Sequence, residues 1–167
     1  MTRTIPLALL VQDDLMATAE TSTNQAEDKE KLREEWLERL SDLVETVRGW
    51  AQDLDWSTRR IEKKMEDSEL GTYKAPALLL QKETVRALLE PIAHSAPGVA
   101  GIVDFYLMPA FDDIARLFFS DDGWQLYHEF PGAPTAADLR KAEPRPLSKE
   151  TFQSVLEAMT RNAESSP

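Results

Sequence analysis

Residues 84–130 read TVRALLEPIAHSAPGVAGIVDFYLMPAFDDIARLFFSDDGWQLYHEF, and the period of their apolar positions decides the fold. Val85, Ala87 and Leu89 alternate with Arg86, Leu88 and Glu90. Val103, Phe105 and Leu107 alternate with Ile102, Asp104, Tyr106 and Met108. A strand sends successive side chains to opposite faces, so alternation over several segments describes a sheet with one dry and one mixed face. Ser95-Ala96-Pro97-Gly98, Pro109 and Asp121-Asp122-Gly123 break the segments, and Asp-Gly is a strong hairpin signal. The links are too short for helical crossovers, so the strands run antiparallel. Strands are expected over 77–82, 84–94, 99–108, 114–119 and 124–130.

Parity then sorts the faces. Ala115, Leu117, Phe119, Trp124, Leu126, His128 and Phe130 join the dry side. Arg86, Glu90, Asp104, Tyr106, Arg116, Tyr127 and Glu129 fall together on the other. If the apolar sets share a face, Glu90 lies opposite or diagonal to Asp104. Two carboxylates that close repel unless a cation, a proton or a metal lies between them, and Arg86 and Arg116 are the cations at hand. Tyrosine and arginine concentrate at recognition surfaces, which makes these seven residues the candidate partner-binding patch. The plainer reading is a half-buried sheet face whose charges pair across strands. Leu88, Ile92, Ile102, Met108, Ile114 and Phe118 on that side ask for a cover.

Working outward, residues 1–25 lack a sustained period and read as a flexible lead-in to one domain over 26–163. Trp36, Leu40, Leu43, Val47, Trp50 and Leu54 follow the spacing of a helical seam, within a helix expected over 27–54. That seam would pack on the sheet or form a homodimer through Trp36, Leu40, Leu43, Val47 and Trp50. A second helix is expected over 58–70, started by Asp55 or Ser57 and ended by Gly71, with only Ile61 and Met65 as its stripe. Four prolines place a surface loop at 131–147, and Ser148 caps a last helix over 149–163, with Leu147 and Phe152 as a hydrophobic staple. The expected fold is therefore α+β: two N-terminal helices, an antiparallel meander of four to five strands and a C-terminal helix.

Composition narrows the function classes. The 167 residues suit one domain, and a net charge of −11 opposes nucleic acid and anionic membrane as partners. A partner protein with a basic surface is compatible with that charge. The absence of cysteine fits a reducing compartment, hence a cytoplasmic expectation. Ala17-Thr18-Ala19 resembles a signal-peptidase site, but the Ile5–Val11 run is short and Asp13-Asp14 precedes the supposed cut. No run reaches the length of a membrane span.

No motif points to a cofactor or a metal. The six glycines form neither a phosphate loop nor a dinucleotide fingerprint, and no Gly-x-Ser-x-Gly elbow appears. His94 and His128 fall on opposite faces and cannot share a zinc. Tryptophan at helical spacing is core. The expected role is a small acidic, non-enzymatic protein-binding module: accessory, chaperone-like, antitoxin-like or immunity-like. The alternatives are a hydrolase using Glu90 and Asp104 with a divalent metal, and a self-associating scaffold.

Overall fold

A computed structural model describes the backbone of residues 5–109, 112–128 and 144–165 and the side chains of 24–109, 114–128 and 144–163. A helix, α1 (Ile5–Asp53), leads into strands β1 (Ser57–Asp67), β2 (Gly71–Lys82), β3 (Val85–Ala93), β4 (Ile102–Leu107), β5 (Asp112–Ser120), β6 (Gly123–His128) and β7 (Arg145–Pro146), and helix α2 (Lys149–Ser165) follows. The seven strands form one antiparallel sheet in sequence order. The α+β meander is therefore as expected, with two corrections. One helix precedes the sheet rather than two, and the sheet has seven strands rather than four or five.

Both corrections come chiefly from 57–67. Ile61 and Met65 stand four apart, a spacing shared by one face of a helix and one face of a strand. Pairing with β2 from Ser57↔Gln81 to Asp67↔Gly71 resolves that ambiguity toward the strand, since a weak local preference yields to a ladder of backbone bonds. Gly71, read as a helix end, has φ 79° and closes the β1–β2 turn instead. The charges of this segment, Arg59, Arg60, Lys63 and Lys64 among them, lie on an edge strand, where they discourage pairing with other chains. The other addition, β7, is two residues inside the expected proline-rich loop; residues 129–143 of that loop lie outside the described residues.

The end of α1 is a Schellman cap. Trp56 N donates to Ala51 O at 2.9 Å and Asp55 N to Gln52 O at 3.1 Å, with Asp55 at φ 66°. Asp55 thus ends the first helix rather than starting a second. At the other helix, Thr151 N donates to Ser148 Oγ at 3.2 Å while Ser148 N donates to Thr151 Oγ1 at 2.8 Å, a reciprocal cap.

The core lies on one side of the sheet. Trp36, Leu40, Leu43, Val47 and Ala51 of α1 meet Leu78, Leu80, Ala87, Leu89, Val103, Phe105 and Leu117, and α2 adds Phe152, Val155, Leu156 and Met159. The seam proposed for a homodimer is spent here: Trp36 and Leu40 are 1% exposed and Val47 is fully buried against the protein's own sheet. Trp36 also explains Gly101, where an added Cβ would sit 2.5 Å from the indole.

Pro76 and Pro91 shape the sheet's far end. The β2–β3 ladder stops at Leu78↔Leu89, just before both prolines, which have no N–H to donate. Beyond it β1–β2 is a two-stranded ribbon, where twist is larger. Met65 and Tyr73 there join the core, and Trp36 Nε1 donates to Tyr73 Oη at 3.0 Å.

Candidate functional site

The face of the sheet turned away from α1 and α2 carries the expected patch. The register places Glu90 opposite Asp104, Asp104 opposite Arg116 and Arg116 opposite Tyr127, one row across four strands. A neighbouring row runs Arg59, Leu79, Leu88 and Tyr106. Arg86 follows the parity of Leu88 and Glu90 and is exposed. Six of the seven expected residues thus share this face, and Glu129 lies outside the described residues.

The close carboxylates are reconciled by separate partners. Arg116 grips Asp104 with two parallel bonds, Nε to Oδ1 at 2.8 Å and Nη2 to Oδ2 at 3.1 Å. Asp104 is 2% exposed, and the half-exposed guanidinium forms its lid. Glu90 accepts from Tyr106 Oη at 2.9 Å and pairs with Lys63 Nζ at 3.4 Å. Lys63 Nζ also donates to Pro91 O at 2.9 Å, beyond the end of the β2–β3 ladder. Burial first, then the bond to Glu90 and the charges of Glu90 and Asp104, push the Tyr106 hydroxyl up to about 12. Tyr106 therefore works as a neutral donor.

This arrangement weakens the metal-dependent alternative on chemical grounds. Each carboxylate already faces a cation, and Glu90 has a hydroxyl donor as well, so neither presents an uncompensated charge to a divalent ion. Among the described residues no three histidine or acidic side chains converge as ligands.

Apolar side chains fill the spaces between the charges. Leu88 and Tyr106 are buried, and Ile61, Leu79, Met108 and Ile114 are half-buried around them. No described helix packs over this side.

Two features were not legible as sites in the sequence. His94 sits between carboxylates at the end of β3, with Nδ1 2.9 Å from Asp67 Oδ2 and Nε2 3.1 Å from Glu69 Oε2. Ser95 Oγ is 3.3 Å from the same Nε2. The order serine, histidine, aspartate suggests a nucleophile, but Glu69 shares the nitrogen that would accept its proton. The cluster instead ties the β1–β2 turn to the end of β3. Asp67 Oδ1 also accepts from Glu69 N and Leu70 N. Burial acts to raise its carboxyl, yet those bonds and the His94 ring outweigh it and hold Asp67 below the usual value.

The second feature is a cleft of about 470 Å³ between the end of α1, the β2–β3 turn and α2, with Leu54, Trp56, Val85 and Leu156 among its walls. Glu83, at φ 56° in that turn, also lines it. Lys82 and Arg161 are balanced there by Glu83 and Glu157, so the cleft selects no ligand charge. Sequence reading missed Arg59 and Lys63 on the sheet face because both were assigned to a helix. The alternation Arg59, Ile61, Lys63 was the available signal.

No family model matches this chain, and no curated protein or solved structure is similar to it. Among the described residues no helix is long and apolar enough to cross a membrane.

Proposed function

We propose that this protein is a non-enzymatic protein-binding module that captures its partner on the outer sheet face. The observation that supports this reading is a row of satisfied charges set among half-buried Ile61, Leu79, Met108 and Ile114, with no described element over them. Apolar surface bounded by polar groups marks interaction sites in folded proteins. Preformed pairs such as Arg116–Asp104 hold their geometry before the partner arrives, which lowers the ordering cost of binding. An accessory, chaperone-like, antitoxin-like or immunity-like role in the cytoplasm accords with such a surface.

The test compares capture from native lysate by the wild type with capture by Arg86→Ala, Tyr127→Ala and Leu79→Asp. The expected result is a co-purifying protein that all three variants lose while thermal unfolding of Arg86→Ala is nearly unchanged. A partner retained equally by all three, or one lost only in step with unfolding, would overturn the proposal.

A further inference from the structure

We infer that the outer sheet face receives an acidic amphipathic segment of a partner protein, its apolar side on the half-buried Leu79 and its carboxylates on Arg59 and Arg86. The inference rests on the protein-binding reading and names the chemistry of the partner.

The charges of the face carry it. Lys63 is matched by Glu90 and Arg116 by Asp104, so the two described carboxylates of the face are already engaged. Arg59 and Arg86 are exposed on the same face, and among the described residues neither side chain makes an ion pair or a hydrogen bond. Among the described side chains of this face, Arg59 and Arg86 are thus positive charge in excess of the acids, on a chain whose net charge is −11. Distance decides which charge a docked partner meets. Screening acts over about 8 Å at physiological salt, so groups in contact with the face see its arginines more than the acidic helices behind the sheet. A basic partner, suggested by the net charge, would meet the wrong sign here.

Geometry adds a spacing. Arg59 lies opposite Leu79 and Leu79 opposite Leu88, while Arg86 is two residues from Leu88 along β3. Strand spacing and rise put the two arginine Cα atoms roughly 12 Å apart, with Leu79 between. Carboxylates seven residues apart on a helix are separated by about 10.5 Å, within reach of both flexible side chains. The matching segment therefore has an apolar stripe flanked by acids about two turns apart. Arginine suits this task because its planar donors engage carboxylates in pairs.

The test titrates the full chain into three dye-labelled amphipathic peptides sharing one leucine pattern, with polar positions all glutamate, all glutamine or all lysine. Fluorescence anisotropy should show the glutamate peptide binding about tenfold tighter than the glutamine peptide, a difference set by two partly exposed ion pairs. That preference should disappear in Arg59→Gln/Arg86→Gln and shrink with added salt. Equal or tighter binding of the lysine or glutamine peptide would overturn the inference, as would a glutamate preference that survives in the double variant. Competition of the glutamate peptide by its own glutamine analogue at equal strength would do the same. If no peptide binds, the inference falls while the protein-binding reading still stands or falls on lysate capture.

Discussion

The two faces of the sheet are built from the same strands and do different work. On the inner face Leu78, Leu80, Ala87, Leu89, Val103 and Phe105 are essentially removed from water, and two helices close over them. On the outer face the same strands show Leu79, Leu88, Glu90, Asp104 and Tyr106, and no described helix covers them. Stability concentrates where apolar area is excluded from water, while charges paired across strands keep an open face in order at small cost. Asp104 marks the boundary between the two regimes. It is as buried as a core residue, yet it belongs to the outer row and relies on Arg116 for its counter-charge.

The largest expected effect separates the faces directly. Leu89→Ala on the inner face should lower unfolding free energy by about 3 kcal/mol, and Leu79→Ala on the outer face by less than about 1.5 kcal/mol. Urea denaturation of both variants measures the contrast, and equal losses would mean that the outer face is also packed. Next is the boundary residue. Arg116→Gln leaves a buried carboxylate without its cation, and a loss of about 2 kcal/mol is expected after allowance for the guanidinium's exposure to solvent. That loss should largely vanish in Arg116→Gln/Asp104→Asn, which removes the stranded charge. Persistence of the full loss in the double variant would show that packing, not charge, sets the cost.

The smallest effect is read in alkali. The fold favours the neutral Tyr106, raising its pKa from 10.0 to about 12. Its contribution is complete below pH 10 and is lost as pH rises from there through 12. Tyr73 is raised as well, by burial and the nearby charge of Asp67, so the wild type declines on both accounts. The difference between wild type and Tyr106→Phe isolates the outer face. Identical alkaline slopes would show that Tyr106 is not held neutral by Glu90 and Asp104.

Side-chain parity made much of the candidate patch legible. Arg86, Glu90, Asp104, Tyr106, Arg116 and Tyr127 fall on one face because alternation is a property of extended backbone, whatever the register. The β5–β6 turn shows the same independence: Phe119 pairs with Trp124, and a register shift of two would have left every side chain on the same side. The strand β1 was illegible for the opposite reason. Its apolar positions fit both periods, and its charges are equally at home on a solvated helix and on an edge strand. With β1 misread, Arg59 and Lys63 were missing from the patch. Asp55, at φ 66°, was another loss, since aspartate more often starts a helix than ends one.

The sequence by itself determined the α+β class, the antiparallel order and the division of residues 84–130 between two faces, because these follow from periodicity and short links. Tertiary structure alone decided that 57–67 is a strand, that the Trp36–Trp50 seam closes the protein's own core, and that Lys63 and Arg116 neutralise Glu90 and Asp104. Those outcomes depend on pairing between residues distant in the chain, and no local pattern encodes which partner a side chain will meet.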